Sequence, residues 1–172
     1  SSTWTSGTIS HFISNSSLIY FGVYPNNVTS ITAPAPGKPF ILIFTHSISS
    51  NVVTMNVYLN GTQVVTNATA SCPINTINCT NLTIGREPNL TTRTFKGGIS
   101  SLIIYNTILT QSQRQQVEGY LAWKWWRNGN AILPNGHPYY SSLDGTTVDM
   151  GSVFNTNTLM TNTKPCTVLG SY

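Results

Sequence analysis

Few side chains of this chain could do acid–base, nucleophilic or metal chemistry. The carboxylates are Glu87, Glu118, Asp144 and Asp149; the histidines are His11, His46 and His137; the cysteines are Cys72, Cys79 and Cys166. A glycosidase needs two carboxylates flanking the bond it breaks, roughly 5–10 Å apart. Glu118 falls in a helical stretch, where a helix charge pair or a loop contact is its expected role, and Asp144 and Asp149 fall in a polar tail. His11 stands at a strand start, His46 at a strand end, and His137 in an "HPY" exit beside Pro138, where a structural hydrogen bond is expected. The G-x-S-x-G motif of a nucleophile elbow does not occur. These residues point to a chain that is not an enzyme, with no catalytic residue and no protein-built metal centre.

The cysteines and asparagines suggest covalent chemistry of another kind. "CPINTINC" lies between two strand-like segments, so a Cys72–Cys79 disulfide could staple that loop. Such a short closure would stabilise by roughly 2–3 kcal/mol. The alternative is three buried or free thiols. With the staple in place, Cys166 is left over, its partner in another chain or in further sequence. CxxC metal spacing is absent. N-x-S/T sequons occur at Asn15, Asn27, Asn60, Asn67, Asn78, Asn81 and Asn89, all in the first half of the chain or just beyond it. Some of them are expected to carry glycans, not all; Asn78 adjoins Cys79 and competes with its disulfide.

The composition suits an exposed β protein. The 172 residues are enough for one domain with a real core. Charged residues are 7% of the chain, against roughly 25% in ordinary globular proteins, while hydrophobic content is 40%. Asn, Ser and Thr fill the polar positions, as in extracellular, virion-surface or cell-wall proteins. Net charge is +4, but the basic residues are scattered: Arg86, Arg93 and Lys96 near one loop, Arg114, Lys124 and Arg127 on the helix. Nucleic-acid binding would want a dense basic stripe, so none is expected. The longest strongly apolar run, "FILIF", is far too short to span a membrane. The absence of an initial Met and of a basic leader reads as a processed chain or a fragment.

The elements that must position these residues are mostly short strands. "SLIYFGVY", from Ser17, reads as a strand, followed by a loop rich in Asn, Pro and Gly up to Pro39. "PFILIFTHS" is apolar on both sides, as in a central sandwich strand. In "VTMNVYLNGTQVVTNAT", Val53, Met55, Val57 and Leu59 alternate with polar residues or Tyr58. Asn60-Gly61 then supplies the positive φ angles of a type I′ hairpin. "NLTIG" from Asn81 and "GGISSLIIYNT" from Gly97 are further strands, the second expected to be covered on both faces. Thr110 and Gln113 form a capping box that opens a helix. At about 100° per residue, Val117, Tyr120, Leu121 and Trp125 share one face, and Trp126 points roughly away from it. That face is expected to plug the core, with Trp125→Ala costing roughly 3–5 kcal/mol. Asn128-Gly129 can end the helix, and "ILPNGHPYY" leads out of it.

The run "FKGGISSLIIYNTILTQSQRQQVEGYLAWKWW…LPNGHPYY" resembles the C-terminal part of LamG-like, concanavalin A-like jelly-roll modules. The matching positions include Gly98, Ile99, Tyr105, Asn106, Thr110, Arg114, Val117, Glu118, Tyr120, Leu121, Lys124, Trp125, Leu133, Pro134, His137, Pro138 and Tyr139. The "VYLNGT" hairpin resembles that family's "yvNG" turn. Trp126 stands where the family usually has Gly, and no "WLDA"-like opening motif is present. The resemblance implies two facing antiparallel sheets, and roles in glycan or protein binding in bacterial surface proteins and proteins of large DNA viruses. Family glucanases carry an E-x-D-x-x-E strand, which this chain lacks. LamG-type modules often hold calcium at a rim; with so few acids, only a weak site at Asp144 with backbone carbonyls is conceivable here.

The expected architecture is all-β: an antiparallel two-sheet jelly-roll sandwich with one C-terminal amphipathic helix. Residues 1–140 form the domain, its N-terminal strands incomplete or supplied by a partner, and 141–172 form a polar tail. The expected function is non-catalytic: a structural or display module of a surface-exposed protein, above all a virion protein of a large DNA virus. Its expected partners are other structural proteins of the assembly or the rest of its own polypeptide. The alternatives are a carbohydrate-binding module of a secreted protein, with Trp126, Tyr139 and Tyr140 as glycan contacts, and, far behind, a glycoside hydrolase.

Overall fold

The computed structural model describes residues 9–13, 17–23, 26–72, 81–85, 95–126, 129–141 and 167–169. Strands β1 (Ile9–Ile13), β2 (Leu18–Val23) and β3 (Asn26–Thr32) form one antiparallel sheet, in that order. Strands β4 (Leu42–Ser49), β5 (Val52–Leu59) and β6 (Thr62–Ser71) form a second. Side chains alternate across a strand, so Ile19, Phe21 and Val23 of β2 all point to one face, as do Val53, Met55 and Val57 of β5. All six are buried. They meet in two adjoining clusters, Ile19 and Phe21 with Met55 and Val57, and Val23 with Val53 and Cys72. The result is the expected two-sheet sandwich.

The β5–β6 hairpin follows its local chemistry. Asn60 and Gly61 have φ of 52° and 81°, which matches the handedness of the turn to the twist of the strands. Further along, the register between β5 and β6 slips at a bulge. Asn67, at φ 47°, sits there. Its amide donates to Asn56 Oδ1 at 2.8 Å, and Gln63 Nε2 donates to the same oxygen at 3.1 Å.

Three elements differ from expectation. β4 is an edge strand of the described sheet, not a central one. It is apolar on both sides because both sides are covered: Leu42, Phe44 and Ile48 face the other sheet, while Ile43 and the preceding Ile41 pack towards a helix outside. Residues 26–32, expected as loop, form β3. Val28 and Ile31 pack on the core, and the polar residues between them mask the pattern. The pairing with β2 shifts at Gly22, where a Cβ would lie 2.7 Å from the Asn26 carbonyl oxygen. Finally, residues 98–105 have no strand partner among the described residues except for a bridge at Tyr105. Ile99 and Leu102 are 53% and 55% exposed instead of covered. A strand needs a neighbour to take its backbone hydrogen bonds, and propensity alone does not supply one.

Strand β7 (Asn81–Thr83) pairs in parallel with β8 (Thr167–Leu169), so the tail returns to the domain there. The remainder of the tail beyond Ser141 lies outside the described residues. Helix α1 (Gln111–Trp126) opens as expected: Thr110 N–H donates to Gln113 Oε1 at 3.0 Å, and Gln113 N–H to Thr110 Oγ1 at 3.3 Å. A 3-10 turn, Gly129–Ala131, follows. Helix and exit cover the outer face of the β4–β5–β6 sheet as a third layer, where Ile41, Ala122 and Leu133 form a separate core cluster.

Candidate functional site

Arg114 and Glu118 lie one helical turn apart, the spacing at which side chains meet. Arg114 Nη1 donates to Glu118 Oε1 at 2.7 Å. The other carboxylate oxygen lies 3.0 Å from His137 Nε2. Tyr139 N–H donates to His137 Nδ1 at 3.2 Å, so the imidazole proton belongs on Nε2, aimed at Glu118. Arg114 also lies over the Tyr58 ring, 3.9 Å from its centroid. Glu118 is completely buried, and Arg114 and His137 are nearly so. A carboxylate beside an imidazole is the raw material of general-base catalysis. Here the arginine takes one oxygen, the imidazole the other, and the set is closed to solvent. It joins α1, the exit segment and β5.

The hairpin turn completes this joint. Asn60 N–H donates to the Ile41 carbonyl at 2.9 Å, and Ile41 N–H donates back to Asn60 Oδ1 at 2.8 Å. A Cβ on Gly61 would fall 3.1 Å from both His137 Cδ2 and Pro134 Cδ. A Cβ on Gly119 would fall 2.5 Å from Tyr139 Cγ. The "NG" turn and the glycine of "VEGYLAW" are therefore sites of close approach to the "LPNGHPYY" segment. Sequence reasoning identified the Glu118 charge pair and the structural role of His137 separately. It missed that they are one network, although an i, i+4 Arg–Glu pair was there to be read.

The tryptophans fall differently from expectation. Val117 is buried and Tyr120 and Leu121 are half-buried, but Trp125 is 46% exposed. The expected plug is corrected at that residue: Trp126, half-buried, packs on the Ile41–Ala122–Leu133 cluster instead. The cause is the exit segment. Leu133 and Tyr139 return along the Ala122 side of α1, so the last turn buries that side and leaves Trp125 beyond it. Of the expected glycan contacts, Tyr139 joins the same cluster, Tyr140 is half-buried, and Trp126 is an interior residue more than a platform. Trp123 Nε1 donates to the Tyr139 carbonyl at 3.0 Å and pins the exit.

Among the described tryptophans, the one that faces outwards is Trp125. Its Nε1 donates to Ser101 Oγ at 3.1 Å, which holds the indole, and Lys124 Nζ lies 5.1 Å from its ring and 5.4 Å from the Tyr120 ring. Phe95 (41%), Ile99, Leu102 and Ile108 (54%) are also exposed in the segment that includes Ser101.

The covalent candidates divide similarly. Cys72 is a free, fully buried thiol packed with Val23 and Val53, which corrects the expected Cys72–Cys79 staple. Cys79 and Cys166 lie outside the described residues, as do Glu87, Asp144, Asp149, Asn15, Asn78 and Asn89. Asn27 and Asn67 are exposed on β3 and β6; Asn60 is half-buried and tied to Ile41; for Asn81 only the strand placement is described. Among the described residues no group of three or more His, Cys, Asp or Glu side chains could hold a metal, and no helix is long and apolar enough to cross a membrane.

No curated protein and no solved structure matches the chain. A family model described as the concanavalin A-like lectin/glucanases superfamily matches residues 2–113. The match takes in both sheets and stops at the start of α1, so it complements the motif in the helix and its exit. With two facing antiparallel sheets, a helix capping one of them and the family pattern running through both sheets, the chain belongs to the concanavalin A-like lectin/glucanases superfamily.

Proposed function

We propose that this chain is a non-catalytic structural and display module of a surface-exposed protein, the expected setting being the virion of a large DNA virus. The observation that supports this reading is the apolar surface of Phe95, Ile99, Leu102, Ile108 and Trp125. Exposed apolar groups in one segment mark interaction surfaces. Lys96 and Lys124 lie beside them and are exposed. Exposed apolar side chains accompanied by lysines suit a neighbouring structural protein of the same assembly that offers apolar groups and acidic side chains. Glycans on Asn27 and Asn67 would go with an extracellular or virion-surface location. Intact mass before and after deglycosylation checks that part.

Amine-reactive cross-linking of the native assembly, read by mass spectrometry, tests the main reading. Links from Lys96 or Lys124 to a second structural protein are expected, and Leu102→Asp should abolish them. If no such links form, the reading fails.

A second reading, a carbohydrate-binding module, is favoured by Trp125 alone, an indole held in place by Ser101 and flanked by a cation. Glycan-array binding lost in Trp125→Ala, with cross-links absent, would select it. Polysaccharide turnover that disappears on replacing a carboxylate would overturn both readings in favour of a glycoside hydrolase.

A further inference from the structure

The layer between the sheets contains two imidazoles among its hydrocarbons. β3 lies over β6 and β2 over β5, and the His11 ring of β1 meets Phe44 of β4. β1 and β4 thus form one edge of the sandwich. The His11 ring sits between Phe21, with centroids 5.3 Å apart, and Phe44, 3.7 Å. Both of its ring nitrogens are buried without a hydrogen-bond partner. His46, two residues beyond Phe44, is on the same inward face of β4 and close enough to His11 for the two to interact electrostatically.

Strands β1 to β6 contain no Asp, Glu, Lys or Arg. Their other titratable groups are Tyr20 and Tyr58. Tyr20 lies between the inward-facing Ile19 and Phe21 and so faces out, and Tyr58 lies beneath Arg114 on the outer side. Cys72 is in the other core cluster, with Val23 and Val53. Glu118, the carboxylate among the described residues, is occupied by Arg114 and His137. From no packed element, among the described residues, does an anion face the two imidazoles.

We propose that the β1–β4 edge is an acid-operated latch: neutral His11 and His46 hold β1 on the sandwich, and proton entry there releases β1 while the β5–β6 hairpin and the α1 joint stay folded. Burial, with repulsion from His46, pushes the His11 pKa down to about 3, and burial lowers that of His46 as well. A folded-state pKa below the unfolded value of 6.5 means that protons favour the open form. The stabilisation is complete above about pH 6.5 and is withdrawn as the pH falls from there towards 3. β1 is the one to leave: β1 and β4 are both edge strands of the described sheets, but β4 is also held on its outer face, where Ile43 and the preceding Ile41 pack with the α1 layer. It can peel away without disturbing the β5–β6 pairing, as a low-stability unit does.

Hydrogen exchange of the full chain, corrected for intrinsic rate and followed from about pH 7.5 to about pH 4.5, tests this. Protection of residues 9–13 should fall by more than about tenfold while that of residues 53–59 persists. His11→Phe fills the space between Phe21 and Phe44 and cannot take a proton, so it should keep β1 protected; His46→Leu should do so in part. In the unmodified chain, the His11 ring resonance should titrate only as the β1 amides lose protection. The latch is refuted if residues 9–13 and 53–59 lose protection together, or if either variant releases β1 as readily as the parent. Should the variants not fold, a His11 ring that titrates near 6.5 with β1 still protected refutes it equally.

Discussion

Glu118 has two carboxylate oxygens and two buried partners, and that count fixes its role. Removing it leaves the Arg114 guanidinium and His137 Nε2 buried without their carboxylate, which in such settings costs about 3–5 kcal/mol. Glu118→Ala should therefore lower unfolding stability in urea by that amount. The tryptophans reverse an expectation at the same scale. Trp125→Ala removes a side chain nearly half exposed and should cost less than about 1 kcal/mol. Trp126→Ala removes one packed on Ile41, Ala122 and Leu133 and should cost about 2–3 kcal/mol. Denaturant unfolding of the pair checks both; the opposite ranking would mean that the helix sits differently on its sheet. The error in reading Trp125 has a definite source. Arg114 and Glu118 share the side of α1 that holds Trp125 and are buried, so helical periodicity finds the right face for most of the helix. It contains nothing about the exit segment, which returns along the Ala122 side, covers Trp126 and leaves the last turn at Trp125 open.

Among the elements, those specified by neighbouring residues were legible in the sequence. The β5–β6 hairpin is set by alternation and by Asn60-Gly61, and the start of α1 by the Thr110–Gln113 box. Thr110→Ala should cost about 1 kcal/mol, the usual value of a cap. Gly119→Ala is the contrasting case. Alanine favours a helix by about 1 kcal/mol over glycine, yet a Cβ here meets the Tyr139 ring at 2.5 Å. Overpacking of that kind costs about 1–3 kcal/mol, so the variant should be net destabilised. A gain in thermal midpoint for Gly119→Ala would contradict the docking of the exit on α1. Less legible were β3 and residues 98–105. One has a bulge and polar fillers that hide its period; the other has strand-like residues and, among the described residues, no partner strand. Pairing is a property of two segments, and composition reports on one.

The molecule as a whole responds to pH through its core. With His11 lowered from 6.5 to about 3, linkage puts the stability difference between pH above 6.5 and pH below 3 on the order of 5 kcal/mol. That contribution should fade progressively below pH 6.5. The denaturant midpoint of the parent chain should fall between about pH 7 and about pH 4.5, and that of His11→Phe should fall much less. Equal slopes for the two would show that the acid sensitivity lies elsewhere. The same layer protects Cys72, whose enclosure between the sheets explains why a cysteine in a turn-rich stretch is not a loop staple.

Composition and local pattern by themselves determined the class: a β sandwich poor in charge, one hairpin, one capped helix, and a family motif running from Gly98 to Tyr139. These follow from short-range rules of alternation, capping and turn chirality, which act within a few residues. The tertiary structure alone decided which charged and aromatic residues are interior. Arg114, Glu118 and His137 became a buried joint because the chain returns over α1. Trp126 was covered and Trp125 left bare for the same reason. His11 met Phe44 and His46 because two sheets closed on each other. Burial and pairing depend on what arrives from far along the chain, so the chemistry of each of these side chains is set by its neighbours in space.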